Sequence, residues 1–131
     1  MARRKLLLGN WKMNHTIAES KEFCSHSADM IKLAAEKGID IGVAPSYLSL
    51  QTVKENAGNM IVAAQDCHFA DHGAYTGFVS IPMIKELGID WCLVGHSERR
   101  LYAAETSLTC NRKIKALIEN KMTVVYCVGE S

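Results

Sequence analysis

Residues 91–100 read Trp91-Cys92-Leu93-Val94-Gly95-His96-Ser97-Glu98-Arg99-Arg100. Four apolar side chains stand in a row, and a glycine and a group of polar and charged residues follow at once. Consecutive apolar residues, as opposed to alternating ones, suit a strand covered on both faces, which is the condition of a parallel sheet. Short apolar runs recur at Leu6-Leu7-Leu8, Ile39 to Ala44, Met60 to Ala64 and Thr123 to Val128, and several of them are likewise apolar at consecutive positions. Five short runs of this kind predict five parallel strands.

Parallel neighbours need crossover connections, and the intervening segments carry helical signals. Thr16 and Glu19 form a capping-box pair, and Ile17, Cys24, Ala28, Ile31 and Ala35 behind it predict one helix face ending at Gly38. Ser46 is placed to cap a second helix with Leu50, Val53 and Ala57 inward and an end near Gly58. Ser80 heads a third, with Pro82 in its first turn and Gly88 at its end. A fourth has Ile114, Leu117 and Ile118 inward and finishes near Asn120. The order βαβαβαβαβ is that of an α/β protein with right-handed crossovers.

Two architectures share this order, the doubly wound open sheet and the (β/α) barrel. A dinucleotide-binding sheet calls for a glycine-rich first turn. Gly9-Asn10-Trp11-Lys12-Met13-Asn14 instead offers one glycine and a bulky indole. The chain has 131 residues, enough for one domain with a core, and is 48% apolar and 22% charged, as in ordinary globular proteins. A formal net charge of +1 argues against a broad nucleic-acid or anionic-membrane footprint, and no apolar stretch reaches the length of a membrane span. The five cysteines, Cys24, Cys67, Cys92, Cys110 and Cys127, form no C-x-x-C pair. Cys24 with His26, and Cys67 with His68, could be read as metal ligands, but no second pair matches them. A reducing cytoplasmic compartment fits that cysteine usage.

In barrels, chemistry gathers at the C-terminal ends of the strands. Just past the five runs stand Asn10 and Lys12, then Gln65, then His96 and Glu98, then Glu130. Singly, each has an ordinary explanation: a solvated lysine, an idle loop histidine, a glutamate opening a helix. Their recurrence at equivalent places points to one functional rim without naming a reaction.

Gly9-Asn10-Trp11-Lys12-Met13-Asn14, Ala64-Gln65, Gly73-Ala74-Tyr75-Thr76-Gly77, Val94 to Arg100 and Cys127-Val128-Gly129-Glu130 resemble, in order, the motif segments of the triose-phosphate isomerase family. The resemblance covers essentially the whole chain. It implies the N-terminal portion, residues 1–131, of a (β/α)8 TIM barrel of ~250 residues, here about five parallel strands and four crossover helices. It also implies interconversion of dihydroxyacetone phosphate and glyceraldehyde 3-phosphate through an enediolate in glycolysis and gluconeogenesis, without a cofactor or a metal. Taking a proton from the carbon beside a carbonyl loads negative charge onto the oxygen, so donors must be in place there. The resemblance assigns that role to Asn10 and to His96, a neutral imidazole electrophile as established for triose-phosphate isomerase itself. It makes Lys12 the fixed cation for phosphate and oxyanion, Glu98 a carboxylate close to the lysine, and Gln65 and Glu130 supports of the rim. Cys127 matches a family cysteine beneath the site and is read as a buried strand thiol.

The family's general base is a glutamate in a segment like A-Y-E-P-V-W after strand six. That segment, its lid and the later phosphate-holding glycine loops do not occur here. The expectation is a catalytically incomplete fragment whose fifth strand is an edge, so that it self-associates or docks a complementary C-terminal half. A non-catalytic binding or assembly module that keeps the fold is the alternative. Family members also dimerise through the loop matching Gln65 to Phe78, with the residue matching Thr76 approaching the partner's site. A glutamate usually follows Gly77 and pairs with the partner's arginine matching Arg99. Phe78 stands there instead, and losing one member of a desolvated pair costs ~3–5 kcal/mol, which places the usual homodimer in question.

Overall fold

The computed structural model describes residues 3–129. The elements run β1 (Leu6–Asn10), α1 (Ile17–Ser25), α2 (Ala28–Lys37), β2 (Asp40–Ala44), α3 (Tyr47–Asn56), β3 (Ile61–Ala64), α4 (Ile81–Glu86), β4 (Trp91–Val94), α5 (Ser97–Tyr102), α6 (Ser107–Glu119) and β5 (Thr123–Tyr126). Two compact units divide after Ala63. In the first, β1 runs parallel to β2 from Leu6 opposite Asp40 to Asn10 opposite Ala44, and β2 runs parallel to β3 with Gly42 opposite Ile61. A Cβ on Gly42 would lie 2.5 Å from the Ile61 carbonyl oxygen, so this close strand contact requires glycine. In the second, β4 runs parallel to β5 from Trp91 opposite Thr123 to Val94 opposite Tyr126. Five strands with parallel pairing and helical crossovers are the fold class of a partial TIM barrel.

Each unit has its own apolar core. Val43, Ala44, Leu50, Val53, Ala57, Met60 and Val62 are buried in the first. Ile84, Ile89, Cys92, Leu93, Val94, Cys110 and Leu117 are buried in the second. Burying a Leu or Val side chain contributes roughly 1.5–3 kcal/mol. Among the described residues no helix is long and apolar enough to cross a membrane.

Three sequence expectations need correction. The four crossovers are present, but the first and fourth each contain two helices. The single helix predicted from Ile17 to Ala35 breaks at His26-Ser27, where the Ser27 hydroxyl donates to the Cys24 carbonyl at 2.8 Å. A serine that satisfies a terminal carbonyl competes with helix continuation. The break resets the helical phase, so Ser20, Cys24 and Ala34 are buried while Ile17, Ala28 and Ala35 are exposed. In α6 the buried face is Cys110, Lys113 and Leu117, and Ile118 is 62% exposed. A lysine occupies the inward position because two carboxylates meet its ammonium, as described below. Ser46 does precede α3 with extended backbone, but its hydroxyl makes no capping bond. Ser80 does cap, accepting from Met83 N, and Thr16 and Glu19 form the expected capping box.

Candidate active site

The first unit carries Asn10 and Lys12. Asn10 ends β1, and the ladder continues one step further as Trp11 N donates to the Ala44 carbonyl at 3.1 Å. The Trp11 indole is buried and stands edge-on to Phe23 and His15, with ring centroids 5.0 and 4.6 Å away. The chain turns at the next residue, and Lys12 adopts φ 57°. A non-glycine side chain in this left-handed region costs ~1–2 kcal/mol, and such strain concentrates at functional positions. Two asparagines hold the turn. Asn10 Oδ1 accepts the Lys12 main-chain N–H at 3.0 Å, and Asn14 Nδ2 donates to the Trp11 carbonyl at 2.8 Å. The first bond engages the acceptor end of the Asn10 amide and preserves its donor chemistry.

The second unit carries His96 and Glu98. His96 is the N-cap of α5, and its Nδ1 accepts the Glu98 main-chain N–H at 3.1 Å. An N–H donates to a nitrogen lone pair, so the neutral tautomer that fits this contact carries its proton on Nε2. Glu98 Oε1 also lies 3.3 Å from Nδ1. These are competing uses of one nitrogen: the carboxylate contact becomes an ion pair only when Nδ1 is protonated, and then the cap is lost. The amide hydrogen at this helix start takes the Nδ1 lone pair as its acceptor. The His96 side chain is 24% exposed.

His96, Ser97, Arg100, Cys127 and Gly129 help to line a cleft of about 600 Å³. Cys127 is half-buried, and burial, partly opposed by the Arg100 charge, raises its thiol pKa. A protonated thiol is a wall group here, not a nucleophile. Gln65, just past β3, is half-buried. Glu130 lies outside the described residues.

Thr76 and Phe78, expected at an interface, are exposed. Phe78 stands edge-on to the buried His68 ring at 4.7 Å, and Tyr75 lies against that ring at 4.1 Å. Arg99 has a carboxylate within its own chain, its Nη2 lying 3.0 Å from Asp66 Oδ2.

Sequence reading missed the charged group behind this loop. Lys113, 2% exposed, places Nζ 2.9 Å from Asp66 Oδ1 and 3.0 Å from Glu105 Oε2. Burial works against the ammonium, but hydrogen bonds and charge from Asp66 and Glu105 win and raise the Lys113 pKa. Burial likewise works against the Glu105 carboxylate, and Lys113 wins, leaving its pKa lowered. The available signal was a lysine at i+3 from Cys110 and i−4 from Leu117, on the apolar stripe of α6. Among the described residues no group of three or more His, Cys, Asp or Glu side chains is arranged to hold a metal ion.

The structure thus brings Asn10 and Lys12 together at the end of β1, and His96 and Glu98 together at the end of β4. An amide donor, a cation and a neutral N–H are the groups that stabilise developing negative charge on oxygen.

Comparison with known proteins bears on that chemistry. The family model described as triosephosphate isomerase matches residues 5–131. The chain is 42% identical to the triosephosphate isomerase of Chlorobium phaeovibrioides over 98% of its own length and 52% of that protein's. It is 44% identical to that of Chlorobium luteolum over 98% and 52%. For Mycoplasma capricolum the identity is 42% over 98% and 51%. The chain spans about half the length of the curated relatives it matches.

Proposed function

The chain belongs to the triosephosphate isomerase family, and from that membership we propose that it supplies the electrophilic part of an isomerase site for dihydroxyacetone phosphate and glyceraldehyde 3-phosphate. The observation that carries the reading is the His96 cap. With Nδ1 engaged by Glu98 N–H, the ring offers Nε2–H to the substrate carbonyl oxygen. As a proton leaves the neighbouring carbon, the electron pair moves through an enediolate onto that oxygen, and the Nε2–H bond strengthens with the growing charge. Lys12 adds a positive charge for oxyanion and phosphate, and the Asn10 amide adds a donor. Glu98 fixes the His96 ring through its main chain. No cofactor enters.

The base for the proton is absent from the 131 residues, which contain no A-Y-E-P-V-W-like segment. General-base catalysis supplies ~10²–10⁴-fold and positioning supplies more, so the chain alone has little or no turnover. We propose that the half of the relatives that these residues do not match completes the site, and it can be supplied as a second polypeptide. The first unit supports such a docking: Leu7 is 63% and Leu33 55% exposed, beside an apolar cleft of about 580 Å³ lined by residues including Leu8, Phe23, Met30 and Ile39. The loop Gln65 to Phe78 is the proposed contact with a second copy. Because Arg99 has Asp66 for a partner, that contact rests on Thr76 and the Phe78 ring instead of an intersubunit ion pair. In the cell this is a cytoplasmic, glycolytic and gluconeogenic activity.

The test is to mix the purified chain with the C-terminal half of the Chlorobium luteolum enzyme and measure isomerisation. Turnover from the mixture, with neither half active alone, supports the reading. A stable complex with no turnover overturns it in favour of a non-catalytic assembly module.

A further inference from the structure

Arg100, the fourth residue of α5, uses all three guanidinium nitrogens within the second unit. Its Nε donates to the Gly95 carbonyl at 3.1 Å, and its Nη2 donates to the Tyr126 hydroxyl at 2.8 Å. Weaker contacts reach the Ser107 hydroxyl at 3.4 Å and the Cys110 thiol at 3.6 Å. The guanidinium carbon is 5.9 Å from the Tyr126 ring centroid, so the hydroxyl, not the ring face, is the principal contact. One planar fork therefore joins the residue after β4, the last residue of β5 and the first turns of α6.

The Gly95 contact matters most because Gly95 immediately precedes His96. Gly95 has φ 75°, and a Cβ there would lie 2.8 Å from Tyr126 Cε1, 3.0 Å from Cys110 Sγ and 3.3 Å from Arg100 Nη2. Arg100 and two of the residues that hold it, Tyr126 and Cys110, thus also leave no space at Gly95. A peptide plane whose carbonyl is bonded to the guanidinium and whose α-carbon is walled on three sides has one orientation. That plane carries the His96 main-chain N and so sets where the His96 ring starts. His96 in turn has the extended backbone (φ −55°, ψ 143°) from which its ring folds back to accept Glu98 N–H.

We propose that Arg100, braced by Tyr126, is a positioning residue that holds His96 in its Nε2–H tautomer and ring orientation. It acts through the Gly95–His96 peptide. The mechanistic value of this role rests on the isomerase reading, but the positioning itself is a property of the second unit. A lysine at 100 keeps the charge and loses the fork. A phenylalanine at 126 removes one hydroxyl and leaves the ring that walls Gly95.

The test uses the full chain labelled with ¹⁵N, comparing the parent with Arg100→Lys and Tyr126→Phe by the His96 ring nitrogen shifts and the Glu98 amide exchange rate. In the parent, His96 shows one neutral tautomer with the proton on Nε2. In Arg100→Lys the tautomers mix and Glu98 amide exchange quickens about tenfold or more, with a smaller change of the same sign in Tyr126→Phe. If Arg100→Lys does not fold, Tyr126→Phe decides alone. Ring shifts and Glu98 exchange unchanged from the parent in every folded variant overturn the proposal. Turnover in the complemented enzyme is read separately: its absence from the parent complex counts against the isomerase reading and leaves the NMR outcome standing.

Discussion

His96 Nδ1 and Glu98 N are 3.1 Å apart, a contact by which the side chain proposed as the electrophile also caps α5. The cap and the electrophile are one arrangement, since accepting at Nδ1 is what assigns the proton to Nε2. Replacing His96 by alanine therefore removes two things. The account predicts loss of ~0.5–2 kcal/mol of folding stability from the missing cap, read as a lowered denaturant midpoint. His96→Asn, whose side chain caps as well as any residue, should recover most of that stability while remaining defective in the complemented assay.

Lys12 allows strain to be separated from charge. At φ 57° a glycine is relaxed and an alanine is not. Lys12→Gly is expected to be more stable than Lys12→Ala by roughly 1 kcal/mol, measured by urea unfolding. Both remove the ammonium, so both should lose phosphate-ester affinity equally. Equal stability of the two variants would show that the turn relaxes without cost.

Lys113 sits between Asp66 and Glu105 inside the second unit. Removing Lys113 leaves the Glu105 carboxylate without its cation and Asp66 with Arg99 alone, so Lys113→Met should destabilise by ~3–5 kcal/mol. Adding Glu105→Gln to Lys113→Met is expected to return part of that loss, because the uncompensated carboxylate is removed while Asp66 keeps Arg99; adding Asp66→Asn as well should return less, because Arg99 then loses its partner. Denaturation of the single, double and triple variants checks the sign of the coupling.

His68 gives the pH dependence. Burial first, and then the Lys113 charge, lower its pKa in the folded protein, with Asp66 opposing. A histidine with a folded pKa below its unfolded value contributes stability that is complete above the unfolded value, about 6.5, and is lost as pH falls through the folded one. Glu105, also lowered, adds a loss of the same sign at lower pH, beneath the ordinary glutamate range of about 4.3. Unfolding midpoints should therefore fall from pH 7.5 to pH 5.5, and His68→Phe should flatten that first step while leaving the more acidic one.

Much of this was legible in the residues. Runs such as Trp91 to Val94 are buried strands because nothing in them alternates, and the polar residues that follow them had to fall at strand ends. Gly38 could be read as a helix stop because its left-handed φ of 67° is what glycine tolerates. The break at Ser27 could not be read, since a serine in a helical pattern is compatible with either continuation or termination, and local hydrogen bonding to Cys24 decides. Lys113 was also hidden: its burial depends on two carboxylates, one of them 47 positions away, and periodicity carries no information about distant partners. The same holds for Arg100, whose grip on Gly95 is local but whose brace comes from Tyr126 on another strand.

The most direct measurement compares, by calorimetry on the complemented enzyme, the affinity for a phosphorylated hydroxamate that mimics the enediolate with that for glycerol phosphate. The account predicts that the mimic binds about 10²-fold or more tightly than the plain ester. It further predicts that His96→Gln weakens the mimic strongly while scarcely changing the ester. Equal affinities in the parent, or equal losses for both ligands on substitution, would contradict the claim that His96 serves the developing oxyanion.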